Sequence, residues 1–266
     1  MTSSTPTPEA TGDGQDRIRF SLRTLLIWVT VFCVAIGIVR FFYDGVHWVR
    51  NQARANASSN NIFQSAYYLH IYHDEHGSFP PAYVEDKNGK PMHSWRVEML
   101  QHGLGQGLLY DKYDFTQPWN GPNNLPLAKE MPFRYRFASI EEPTTHTNVV
   151  AITGPGTAFP GAESTKLDDF KDGLENTIMF VEIANSNISW MEPRDFDIET
   201  MSFTINDRDR PSISAPHWRQ PFVCFADASV YKVSEDIPPE YLRALMTIDG
   251  GEEITREELI RLGYLK

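Results

Sequence analysis

Thr24-Leu-Leu-Ile-Trp-Val-Thr-Val-Phe-Cys-Val-Ala-Ile-Gly-Ile-Val39 carries no charge over sixteen residues, and the chain around it continues in helical period from Leu22 to His76. At a rise of 1.5 Å per residue the uncharged core covers only ~24 Å, short of a hydrocarbon layer of ~30 Å. Counted from Leu22 to Tyr43 the length becomes ~33 Å, with Arg23 and Arg40 near the two ends, where their long side chains can snorkel to the headgroups. A single crossing fits. A secretory signal is the competing reading, with Ala53-Arg-Ala55 and Ala55-Asn-Ala57 as small-residue cleavage sites, but both lie well beyond the apolar run. Arg17, Arg19 and Arg23 before the span are matched by Arg40, Arg50 and Arg54 after it, so charge leaves the orientation tied.

Beyond Tyr43 the stripe Val46, Val49, Ala53, Ala57, Phe63, Tyr67 and Ile71 recurs in steps suited to one helix face, widened by Ile62, Ala66 and Leu69. The expectation is a stalk whose upper turns pack on a domain through this stripe. Gly77 supplies a left-handed C-terminal position and Pro80-Pro81 stop the helix. The resulting division is a tail over 1–20, rich in Ser, Thr, Pro and Gly up to Asp16 and read as disordered; a transmembrane helix over 21–43; a spine helix over 44–76; and one domain over 77–266.

The domain reads as antiparallel β. Strand-like runs are Phe133 to Ala138, Thr147 to Thr153, Thr177 to Ala184, Phe222 to Ala226 and Ser229 to Val233, the last two joined by a two-residue turn at Asp227-Ala228. Asp86 to Gly89 is a turn. Trp95 to His102, Gln106 to Lys112 and Pro238 to Met246 suit short helices, and Thr255-Arg-Glu-Glu258 is a capping box for another. The fold class is α+β. A formal charge of −11 argues against nucleic acid and against a polybasic grip on anionic lipid. Cys33 lies in the span and Cys224 in the domain, so they do not pair.

Several separated motifs, His73-Asp-Glu-His-Gly-Ser-Phe-Pro-Pro-Ala-Tyr83, His93-Ser-Trp-Arg-Val97, Gly154-Pro-Gly-Thr-Ala-Phe-Pro160, Asp172-Gly-Leu-Glu-Asn-Thr177 and Trp190-Met-Glu-Pro-Arg-Asp195, resemble the bacterial family called domain of unknown function 1559 over about residues 50 to 250. The resemblance implies a pilin- or pseudopilin-like fold, with an N-terminal spine helix packed on an antiparallel sheet. It also implies a cytoplasmic N-terminus, a bacterial inner-membrane anchor and a periplasmic domain, with envelope proteins or polymer as partners. Three positions depart from the family pattern. Arg19-Phe-Ser-Leu-Arg-Thr24 stands where a prepilin leader carries Gly-Phe-Thr-Leu-Val-Glu, which argues against processing and filament assembly. Phe137-Ala-Ser139 replaces a Cys-Pro-Ser, and the terminal pattern of His, nine residues, Asp-Gly becomes His217, Asp227 and Ala228.

Glu182 sits in the apolar run Ile178 to Ile183, where an ionised carboxylate needs a partner; Arg194 and His217 are the candidates. The resemblance places any binding site at Glu182, Glu192, Arg194, Asp195, His217 and Asp227, and a ligand-binding or hydrolytic role there is the alternative to an interaction or structural module. His70, His73 and His76, beside Asp74 and Glu75, invite a metal, but steps of three residues fan the rings apart on a helix, so helix-end histidines are the preferred reading and no metal or other cofactor is expected. Asp195-Phe-Asp197 and Asp207-Arg-Asp209 read as solvated loop acids in preference to calcium ligands. Gly154-Pro-Gly156 is a turn, because Pro155 removes an amide a phosphate would need. Trp190 and Trp218 read as core or groove residues. Gly-x-Ser-x-Gly, His-Glu-x-x-His and Cys-x-x-Cys are absent, so no enzymatic role is expected.

Overall fold

The computed structural model describes residues 21–102, 107–136, 144–215 and 220–266, so the N-terminal tail and His217 lie outside the described residues. Helix α1 runs from Leu22 to His76, and the chain divides into two compact units, Met1–Val49 and Arg50–Lys266. In the first, Leu25, Ile27, Trp28, Phe32 and Ile36 are all exposed, and none of the most apolar 18-residue window is buried. A helix that long, apolar and uncovered is one a bilayer would cover.

The second unit begins with the rest of α1. Its buried face is Ala55, Ser58, Asn61, Ile62, Ser65, Ala66 and Leu69. The expected stripe is therefore corrected: Ala53, Phe63 and Tyr67 face solvent, and the residues thought only to widen the stripe are its centre. The small Ala55, Ser58 and Ser65 let the helix backbone approach its neighbours closely, which bulky Phe63 and Tyr67 would prevent. Gly77 ends the helix at φ +76°, its amide donating to the His73 carbonyl at 2.7 Å.

Strands β1 (Tyr83–Glu85) and β2 (Pro91–Ser94) form a hairpin around the Asp86 to Gly89 turn. Ser94 then caps helix α2 (Trp95–Glu98) by accepting from the Arg96 amide, and a 3-10 turn, Met99–His102, extends it. Helix α3 (Gly107–Lys112) follows. The Phe133 to Ala138 run is not a strand where it is described: Phe133–Tyr135 is a 3-10 turn. Asn61 of α1 donates to the carbonyls of Phe133 and Arg136 at 3.1 and 3.2 Å, tying down two groups that a sheet ladder would have used.

The main sheet holds β3 (Val149–Thr153), β4 (Ile178–Glu182), β5 (Phe196–Asp197), β6 (Phe222–Phe225) and β7 (Val230–Lys232) in the order β5-β3-β4-β6-β7. Its pairs are antiparallel apart from the short parallel contact of β5 with β3. Alternation sends Val149, Ala151, Phe180 and Cys224 into one core with Ile62, Ala66, Leu69 and Trp95. Val150, Ile152, Val181 and Val223 enter the other, with Leu242 of helix α4 (Pro239–Ala244) and Leu259 of helix α5 (Arg256–Arg261). Thr255 caps α5 by accepting from the Glu258 amide at 3.3 Å.

Two details concern the end of the sheet. The β6–β7 turn is longer than two residues: the Ala228 amide donates to the Phe225 carbonyl and the Phe225 amide to the Ser229 carbonyl, both at 2.9 Å. Only Ala228 of these residues has positive φ, +65°, which makes a type I turn followed by a left-handed residue. On the outer side of β7, the Lys232 amide donates to the Lys266 carbonyl at 2.8 Å, the Lys266 amide returns a bond to the Lys232 carbonyl at 3.0 Å, and Ser234 bonds Tyr264.

Candidate functional site

Of the residues singled out from sequence, Asp195 has the most constrained setting. It follows a two-turn loop into β5, and its carboxylate receives both terminal nitrogens of Arg96, whose side chain is fully buried. The Ala151 amide adds a 2.7 Å bond to Oδ1. Arg96 itself comes from α2 and also donates to the Val149 carbonyl at 2.9 and 3.2 Å and to Ser94 Oγ at 3.1 Å, with its guanidinium 4.7 Å from the Trp95 ring centroid. Burial pushes the Asp195 carboxyl up, while the guanidinium and the hydrogen bonds oppose the shift. Two motifs about a hundred residues apart thus meet in one pair, and Ser94 Oγ reaches the Trp190 carbonyl beside it at 3.4 Å. Sequence reasoning missed Arg96. The available signal was an arginine set among Trp95, Val97, Met99 and Leu100, where only a paired cation can be buried.

Glu182 is fully buried at the end of β4, and its Oε2 accepts from the Phe222 amide at 2.9 Å. Arg194 is not its partner. That side chain is half exposed and bonds Glu192 Oε1 at 2.6 Å and the Asn187 carbonyl at 2.8 Å, while Glu192 Oε2 caps the Ser189 amide at 3.2 Å. Asp227 lies in the β6–β7 turn, where it accepts from Ser229 and, at 2.6 Å, from Arg256 of α5. Desolvation raises its carboxyl, but Ser229 and Arg256 outweigh that and hold it below the usual range. The described members of the sequence-predicted set therefore divide among a core pair, a surface pair, a strand end and a clasped turn.

Arg194 and Asp195 line a cleft of about 1110 Å³ together with Asp197, Asp207, Asp209 and Glu235. Several of its acids are engaged locally. Asp197 accepts from the Glu199 amide at 2.8 Å; Asp207 accepts from Ser202 Oγ at 2.6 Å and from the Asp209 amide at 2.9 Å, bonds that lower its pKa. Trp190 is fully buried with Nε1 donating to the Ala128 carbonyl at 3.1 Å, while Trp218 lies outside the described residues. Gly154-Pro-Gly156 is a turn, closed by the Thr157 amide on the Gly154 carbonyl at 3.2 Å.

The three helix histidines part as the 3.6-residue repeat requires. His70 Nε2 bonds the Ala226 carbonyl at 2.7 Å and His73 Nε2 faces the Leu167 amide at 3.5 Å, whereas His76 stacks on Tyr72 and lies beside His102.

Residues 48–136 match the family model described as Protein of unknown function (DUF1559). Over that stretch the chain is similar to the DUF1559 family. No curated protein and no solved structure gives a significant match. The DUF1559 segment contains the buried face of α1, the β1–β2 hairpin and Arg96, and Asp195 lies outside it. Within the segment, His93 is buried with Nδ1 on Tyr113 Oη at 3.0 Å and Nε2 on the Phe115 carbonyl at 3.1 Å, and burial lowers its pKa. A ring with both nitrogens engaged serves as a brace.

Proposed function

We propose that this protein is a single-pass membrane protein whose domain, pilin- or pseudopilin-like, stands in the periplasm as an interaction or structural module and not as an enzyme. The observation that carries this is the apolar N-terminal part of α1, uncovered by protein along its length. The non-enzymatic part draws support from the described polar residues singled out by sequence, Glu182, Glu192, Arg194, Asp195 and Asp227, which are engaged in a strand-end bond, a surface pair, a core pair and a clasped turn. The pilin-like part draws on the family resemblance and on the buried face of α1 sharing a core with the sheet. A surface suited to a partner is also present. Phe63, exposed and stacked on Tyr67, lines a groove of about 480 Å³ with Phe222, Ala228, Val230 and Lys232. Exposed aromatics beside a groove are the composition of an interaction patch.

Membrane extraction with carbonate and thiol labelling test this together. Cys224 is buried and Cys33 lies within the apolar helix, so a cysteine placed at exposed Lys87 or at Thr11 in the tail reports its own side of the membrane. The protein should resist carbonate, with Lys87→Cys labelled by an impermeant reagent on intact spheroplasts and Thr11→Cys only after lysis. The reverse labelling pattern overturns the orientation, and release by carbonate overturns the anchor. Crosslinking in membranes should then recover an envelope partner whose yield falls in Phe63→Ser.

A further inference from the structure

We propose that Glu75, His76 and His102 form a binding site for a divalent transition-metal ion of the zinc class, joining the last turn of α1 to the 3-10 turn that ends at His102. The ligand-capable atoms of these three residues all lie within 4.8 Å of one another. Two ligands on a tetrahedral ion, at bond lengths of ~2.0–2.1 Å, stand ~3.3 Å apart, so the three atoms need to close by no more than about 1.5 Å to share one ion. Glu75 Oε2 is already 3.1 Å from His102 Nδ1.

The rings are prepared for this. His76 Nδ1 is 3.0 Å from the Tyr72 carbonyl, which can only accept, so the proton belongs on Nδ1 and the lone pair on Nε2 is left for a ligand. Stacking on Tyr72 at 4.0 Å fixes the plane of that ring. His102 packs edge-on against Tyr72 at 5.2 Å and against His76 at 5.5 Å. Its side chain is 6% exposed, yet its Nε2 has no hydrogen-bond partner among the described residues. A Glu75–His102 ion pair alone explains one nitrogen and leaves that buried one without a role. A metal ion on Nε2 gives that nitrogen a partner. Charge favours a cation here as well, since α1 ends at His76 with its carbonyl dipoles pointing outward, and Glu98 lies within electrostatic reach of His76. Two imidazoles and one carboxylate suit zinc better than calcium or magnesium, which prefer oxygen alone. Glu75 and His76 are exposed, which leaves room for water to complete the coordination. The site differs from the one that sequence spacing suggested: it takes only His76 from the helix triplet and adds a residue from a separate turn.

The test uses the full chain in detergent, stripped with chelator and titrated with zinc ion by calorimetry, with thermal unfolding read in parallel. Binding should be one ion per chain with a rise in Tm, and Glu75→Gln and His76→Gln, both at exposed positions, should each weaken affinity at least about tenfold. Asp74→Asn, a change in the neighbouring exposed acid, should leave affinity unchanged. His102→Ala should abolish binding, and if that variant does not fold, the Glu75 and His76 variants decide the matter. No stoichiometric binding, affinity indifferent to Glu75→Gln and His76→Gln, or equal weakening by Asp74→Asn would overturn the proposal.

Discussion

Replacing Arg96 with methionine leaves Asp195 enclosed without its counter-ion, and loss of one partner of a buried pair costs about 3–5 kcal/mol. Chemical denaturation of Arg96→Met should show that loss at pH 7. The sign of its pH dependence follows from Asp195. Unpaired and buried, that carboxyl has a folded pKa raised above its unfolded value, so its contribution is intact below the unfolded pKa and lost as pH rises. The deficit against the parent should therefore shrink as pH falls from 7 toward about 4. Ala228 makes a second case. A non-glycine residue at φ +65° costs about 1–2 kcal/mol, part of which glycine returns as chain entropy, so Ala228→Gly should raise stability by about 1 kcal/mol in the same assay. The strain at Ala228 was legible in the sequence, since alanine stands where the related pattern has glycine. The Arg96–Asp195 pair was not, because nothing local links two residues so far apart in the chain.

Helix α1 shows where periodicity informs and where it misleads. Its end was written in Gly77 and the two prolines, and its continuity in the unbroken 3.6-residue pattern. Which face is buried was harder to read, because Phe63 and Tyr67 on one side are large aromatic side chains that compete with Ile62, Ala66 and Leu69 on the other. Close approach decided it, through the small residues Ala55, Ser58 and Ser65. Ile62→Ser should accordingly cost about 2–4 kcal/mol, whereas Phe63→Ser should stay within about 0.5 kcal/mol; equal losses would mean the helix packs on its aromatic face. The same contact explains the Phe133 to Tyr135 turn, since Asn61, a polar residue in the buried stripe, claims carbonyls that a strand would have shared. Propensity in that run favoured β structure, and a side chain seventy residues away overrode it.

For the molecule as a whole, the sheet was the easiest part to read. Val149-Val-Ala-Ile152 and Ile178-Met-Phe-Val181 are apolar at successive positions, the mark of strands covered on both faces, and both faces are indeed covered. The parallel contact of β5 escaped notice because two residues carry no pattern. With its faces enclosed, the sheet is left with its margins. One is the two-residue β5, and the other is β7, occupied by the backbone of Tyr264 to Lys266. Deleting residues 264–266 should therefore promote self-association, visible as added mass in light scattering of the detergent-solubilised protein, with little change in secondary structure. Proteins confined to a bilayer meet copies of themselves at high local concentration and in a shared orientation. A margin already filled by residues 264–266 gives such neighbours no ladder to zip onto, so crowding in two dimensions need not lead to clumping.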